Sequence, residues 1–127
     1  MSNFTMVKDF HKKFFPDNPD VFWSEETVDL HLTLMEEEFN EVVEAIEDDP
    51  HRGYEVQVLK ELVDLLYVTY GTAVALGLDI DEAFHRVHKS NMSKLGDDGL
   101  PVYRIDGKAL KGPNYEPPYL TDLVEST

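Results

Sequence analysis

The chain contains no cysteine, which removes disulfides, thiolate nucleophiles and cysteine-ligated zinc together. Any metal must therefore be held by oxygen or imidazole. Positive charge is scarce: 11 Lys and Arg stand against 26 Asp and Glu, a formal net charge of −15 at pH 7. A non-specific grip on nucleic acid would begin from repulsion. No apolar run approaches the roughly 20 residues that cross a bilayer, and the N-terminus has neither a basic segment nor an apolar stretch of secretory type. These absences read as a cytoplasmic protein. Gly96, Gly99, Gly107 and Gly112 make no phosphate-cradling loop, and no Walker pattern is present. What remains suffices for a core: 42% of the 127 residues are hydrophobic, and at about 100 to 200 residues per domain the length fits one domain spanning 1–127.

The apolar pattern is helical. Val7, Phe10, His11 and Phe14 recur at helical spacing until Pro16. A long helix is expected from Ser24, which can cap it, with Glu25 and Glu26 favourably placed in the first turn and a stripe of Val28, Leu32, Met35, Phe39, Val42 and Ile46. Asp48 to Gly53, with Pro50 and Gly53, reads as a short link. Val56, Leu59, Leu62, Val63, Leu66, Tyr67 and Tyr70 then resume the helical period as far as Gly77. Val58, Leu65, Val68, Ala73 and Val74 make this helix apolar on a further face, which suggests a contact with another subunit. Asp79 to Glu82 resembles a capping box and opens a helix ending near Gly96. Beyond about 97, the prolines and glycines forbid a long helix, and Ile105-Asp106-Gly107-Lys108 suits a small hairpin turn. The expected fold is all-α, a four- to five-helix bundle with an irregular tail over about 97–127, assembling through helix faces.

The acidic residues carry the chemical signal. Glu38 and Glu41 lie three apart on the first long helix and Glu61 and Asp64 three apart on the second, so each pair shares a helix face. Glu41 and Glu61, and likewise Glu38 and Asp64, are equidistant from position 51 in the link. An antiparallel hairpin would bring the two pairs together. A lone E-x-x-E is ordinarily a solvated face. Two pairs in matching register beside apolar residues are something else, because converging carboxylates repel when desolvated and hard divalent cations, Mg²⁺ or Mn²⁺, relieve that repulsion.

These motifs, Glu37-Glu38-Phe39-Asn40-Glu41 and Glu61-Leu62-Val63-Asp64, resemble E-E-x-x-E followed by E-x-x-D of the all-α nucleoside triphosphate pyrophosphohydrolases. That group includes MazG, phosphoribosyl-ATP pyrophosphohydrolase and dimeric dUTPase. The resemblance covers about 24–95 and implies hydrolysis of a nucleoside triphosphate to monophosphate and pyrophosphate. It implies two or three Mg²⁺ ions, with Mn²⁺ as substitute, on Glu37, Glu38, Glu41, Glu61 and Asp64. It also maps sugar and phosphate contacts onto Asn91 and Lys94, and implies a homodimer or homotetramer. Members of the phage MazZ type are similar in size and remove dGTP, so dGTP or GTP is the first expected substrate, with phosphoribosyl-ATP or dUTP as alternatives. The tail with Tyr103, Tyr115 and Tyr119 is untypical of the compact phosphoribosyl-ATP enzyme.

Other residues fit such a substrate less specifically. Lys89, Lys94 and Arg104 offer countercharge to phosphate. Trp23 offers a stacking face for a base, although an aromatic just before a helix more often forms a staple with it. Tyr67 follows Asp64 by one turn. His11, His31, His51, His85 and His88 show no convincing ligand pairing. Two competing classes remain open: a non-enzymatic acidic helical interaction module, and a metal-dependent phosphohydrolase cutting a different bond.

Overall fold

The computed structural model describes residues 1–17, 24–48 and 54–124, without the side chains of Asp48 and Tyr54. Trp23, Phe22 and the link through His51, including the midpoint at 51, lie outside the described residues. The chain divides into two compact units, Met1–Leu78 and Asp79–Thr127.

The first unit holds α1 (Asn3–Phe14), α2 (Glu25–Asp48) and α3 (Tyr54–Leu76), with α3 packed against both of the others. At several helix ends among the described residues, local chemistry supplies a partner for the orphan backbone groups. The Ser2 hydroxyl accepts from the Thr5 N–H at 3.1 Å and the Ser24 hydroxyl accepts from the Thr27 N–H at 3.0 Å, caps each worth about 1 kcal/mol. At the end of α3, Gly77 takes φ 68°, so that its own N–H reaches Val74 O at 3.2 Å and the Leu78 N–H reaches Ala73 O at 2.9 Å. That double bond is a Schellman stop, and it requires the left-handed backbone that glycine adopts freely.

Phe4 and Val7 of α1 are buried, and the Phe4 ring meets Tyr70 of α3 at 6.5 Å between centroids. Gly71 permits the close approach: a Cβ there would stand 3.0 Å from Nε2 of His11. Further along α1, Phe10 stacks on Phe14 at 4.4 Å and meets the edge of Tyr67 at 5.5 Å, so Tyr67 packs against α1. His31 of α2 is buried, and its Nδ1 lies 3.2 Å from the Thr72 hydroxyl of α3. The Thr72 proton goes to Val68 O at 2.8 Å, so the hydroxyl accepts from a protonated Nδ1. Burial holds both His31 and His11 below the usual imidazole range, with His31 adding to the effect on His11.

The faces used for packing differ from those the hydropathy pattern suggests. Along α3, the stripe of Leu59, Leu62, Val63 and Leu66 is exposed, Leu59 at 64%, whereas Val58, Leu65 and Val68 are half-buried and Ala73 is buried. Along α2, Leu32, Phe39 and Ile46 are exposed, while His31, Glu38, Val42 and Ala45 turn inward to varying degrees. The helices pack through the faces that bear Glu38 and Glu61. Leu32, Phe39 and Ile46 of the expected α2 stripe and Leu59, Leu62, Val63 and Leu66 of the α3 stripe thus lie on the outside of the single chain, whereas Val42 is buried as expected.

The second unit contains α4 (Ile80–Met92), a two-stranded antiparallel hairpin of β1 (Val102–Tyr103) and β2 (Ala109–Leu110), and a 3₁₀ turn at Thr121–Leu123. Asp79 caps α4 by accepting from the Glu82 N–H at 3.1 Å. The helix stops at Met92, short of Gly96, because Ser90 and Ser93 turn to the tail. The Ser90 hydroxyl donates to Glu116 O at 2.7 Å and the Ser93 hydroxyl to Ser90 O at 2.6 Å, and the Glu116 N–H returns a bond to the Ser93 hydroxyl at 2.9 Å. The hairpin turn falls where expected, with Gly107 at φ 89° and the Arg104 N–H bonded to Lys108 O at 2.7 Å.

Arg86, which also pairs with Glu82, ties the segment 119–122 to α4 through both oxygens of Asp122 and Tyr119 O. At Gly112, a Cβ would stand 2.5 Å from Leu95 O, so only glycine lets the tail lie against the carbonyls that follow α4. No single helix among the described residues is long and apolar enough to cross a membrane.

Candidate metal centre

Glu38 and Glu41 project from one turn of α2, and Glu61 and Asp64 from one turn of α3, because a step of three residues keeps side chains on a common face. Each of the four offers a carboxylate oxygen, and these oxygens all lie within 4.8 Å of one another. The two carboxylate pairs expected to converge do so in the structure. Glu61 is 5% exposed, Glu38 and Asp64 are half-buried and Glu41 is exposed, so the cluster reaches from the interior of the hairpin to its surface.

The buried side of the cluster is short of hydrogen-bond donors. Glu38 Oε2 and Glu61 Oε2 are buried with no hydrogen-bond partner. An orphaned buried carboxylate oxygen carries a desolvation cost that a proton or a cation must offset. Burial first, and the adjoining Glu41 carboxyl second, push the Glu61 carboxyl above the ordinary carboxylate range, with Lys60 acting in the opposite sense. The donor set is all oxygen, hard and anionic, which suits Mg²⁺ or Mn²⁺ over softer ions. The residues present therefore fit a divalent ion, and the orphaned oxygens are the observation that supports it.

Two contacts at the cluster escape a reading for motifs alone. Gln57 Nε2, one turn before Glu61, donates to Glu61 Oε1. Lys60 Nζ lies 2.6 Å from Asp64 Oδ2 and 3.7 Å from Glu61 Oε1. The four-residue steps from 57 to 61 and from 60 to 64 are visible in the sequence, and helix geometry makes them neighbours.

The remaining residues singled out in the sequence are distributed as follows. Glu37 is exposed and does not belong to the group of four. Lys89 and Asn91 are exposed on α4, and Lys94 is half-buried just beyond it. Asn91 and Lys94 line a shallow groove with Met92, Leu95, Val102 and Leu110. Arg104 is paired with Asp106 inside the hairpin turn, a local contact that engages the guanidinium otherwise expected at phosphate.

Comparison with known proteins agrees with the geometry. The chain is 30% identical over 94 residues to an uncharacterized protein of Acanthamoeba polyphaga mimivirus, a match that covers 74% of this chain and 31% of that protein. The chain thus spans about a third of that relative's length. The family description that matches, phosphoribosyl-ATP pyrophosphohydrolase, extends over residues 7–91, from α1 through all four cluster residues to the end of α4, and leaves out the tail. With more than half of its length so matched, the chain belongs to the phosphoribosyl-ATP pyrophosphohydrolase family.

Proposed function

We propose that the protein is a divalent-metal-dependent pyrophosphohydrolase that converts a nucleoside triphosphate to its monophosphate and pyrophosphate. The observation that carries this reading is the four-carboxylate cluster with its two orphaned buried oxygens, in a chain of a pyrophosphohydrolase family. Glu38, Glu41, Glu61 and Asp64 would hold the ions. Divalent ions at such a site supply neutralisation of phosphate charge and activation of water.

In the reaction proposed, water adds its oxygen to the α-phosphorus, the bond from that phosphorus to the α–β bridging oxygen breaks, and pyrophosphate leaves. Glu37, exposed beside the cluster and rotated by roughly 100° from Glu38 on a helix of 3.6 residues per turn, is the proposed acceptor of the water proton or an outer ligand. Lys89 and Lys94 counter the charge of the leaving group, and Asn91 orients the sugar. Arg104 would join them only by releasing Asp106. Trp23 is proposed as a stacking face for the base.

Guanosine and deoxyguanosine triphosphates are the first substrates proposed, on the resemblance to the superfamily that includes the MazZ type. Phosphoribosyl-ATP is the second reading, favoured by the family that matches. A panel of eight NTPs and dNTPs plus phosphoribosyl-ATP, with Mg²⁺ and a metal-free control, discriminates them. Metal-dependent monophosphate and pyrophosphate are expected. Nucleoside plus triphosphate would transfer the protein to another reaction class, and no product from any compound in folded, metal-loaded protein would favour the interaction-module reading.

We further propose that the exposed stripe of Leu59, Leu62, Val63 and Leu66 is covered by a second copy of the chain, since water against four apolar side chains on one helix face is unfavourable. Light scattering is expected to give a dimer or tetramer. A monomer at micromolar concentration would remove this proposal.

A further inference from the structure

The acidic cluster already contains one cation. Lys60 sits one residue before Glu61 and one turn before Asp64 on α3, and its ammonium contacts both carboxylates, at 3.7 Å and 2.6 Å. The contact differs from the other Lys–Asp pair at the same spacing, Lys13 with Asp9 at 3.1 Å. There both side chains are well exposed, whereas the Lys60 ammonium points to a carboxylate that is one-third exposed and another that is nearly buried. Coulomb attraction is less screened in the second setting.

Yet Lys60 does not complete the site. It brings one positive charge to four carboxylates, and Glu38 Oε2 and Glu61 Oε2 remain without a partner. Its own side chain is 62% exposed on a flexible four-carbon stem, so the ammonium reaches the cluster from solvent and can return there. We propose that Lys60 is the resident counter-cation of the metal-free cluster, which a divalent ion displaces from Asp64 on binding.

This inference rests on the metal-centre reading above, and it has a specific consequence: metal affinity is set by exchange against an internal ammonium. Lys60 stabilises the metal-free state and opposes loading, so its removal acts in opposite directions on the two.

The test is a calorimetric titration with Mn²⁺ at fixed ionic strength on the full chain, comparing wild type with Lys60→Gln, Lys60→Arg and Lys13→Gln. Lys60→Gln is expected to bind Mn²⁺ roughly fivefold more tightly, in keeping with one partly screened charge near the site, and to melt lower than wild type when metal-free. Lys60→Arg, which keeps the charge, should bind no more tightly than wild type. Lys13→Gln controls for the overall charge and should leave the affinity unchanged. Unchanged or weaker Mn²⁺ binding by Lys60→Gln overturns the displacement, and so does an equal gain in Lys13→Gln. Wild-type protein that takes up no Mn²⁺ defeats the metal-centre reading itself, and the displacement with it.

Discussion

Exchange of Glu41 for Gln is expected to lower metal-dependent turnover by about a thousandfold or more, with helical content unchanged. Glu41 is the exposed member of the cluster, and Gln keeps its shape, so the substitution opens no cavity. It removes one anionic oxygen from the four that converge. Divalent ions contribute several kcal/mol to reactions of this kind, and 1.36 kcal/mol is a factor of ten in rate, so about 4 kcal/mol corresponds to that thousandfold. Glu61→Gln would be a poorer probe, because Glu61 is buried and bonded to Gln57, and its exchange also alters packing. Pyrophosphate release measured beside circular dichroism reads both properties. Near-normal turnover by folded Glu41→Gln would exclude this residue from the ligand set.

Addition of Mg²⁺ or Mn²⁺ to metal-free protein is expected to raise the melting temperature by roughly 10 °C. An ion at 100 times its dissociation constant stabilises the state that binds it by about 2.7 kcal/mol, and for a chain of this size each kcal/mol moves the midpoint by about 4 °C. The native state binds preferentially because the four oxygens converge only after α2 and α3 have packed. A chain of net charge −15 also gains from simple screening, so the comparison is with NaCl at matched ionic strength. An equal rise in NaCl would show screening alone, whereas reversal of the excess by EDTA would assign it to a bound ion.

Much of this arrangement is legible in the sequence, and the reasons are local. Ser24, Gly77 and Asp79 stop or start helices through their own side chains or backbone, so their positions announce the boundaries. The Asp106-Gly107 turn does the same for the hairpin. The convergence of Glu38 and Glu41 with Glu61 and Asp64 follows from the helix period and from their equal distances from position 51 along the sequence, which involve only α2, α3 and the residues joining them.

What the pattern misassigned depends on neighbours. Leu59, Leu62, Val63 and Leu66 form as good an apolar stripe as any in the chain, yet they face outward, because hydropathy identifies a face that avoids water without naming what covers it. His31 and Glu38 turn inward against their polarity. Arg104 also has a partner that its charge alone does not announce, since Asp106 stands two residues away and pairs with it. The stop of α4 at Met92 depends on Glu116, 23 residues beyond Ser93, a partner that no local window includes.

The inward turn of Glu38 and Glu61 also bears on how such a protein responds to selection. Two buried carboxylate oxygens without partners are a standing liability in the interhelical layer, and apolar residues at these positions would give a firmer hairpin. A search for thermal tolerance alone, run without divalent ions, is drawn to the positions proposed to hold the metal. Hardening the fold would then remove the proposed ligands, one substitution at a time, and the variants that look best by melting would be those least able to hold an ion.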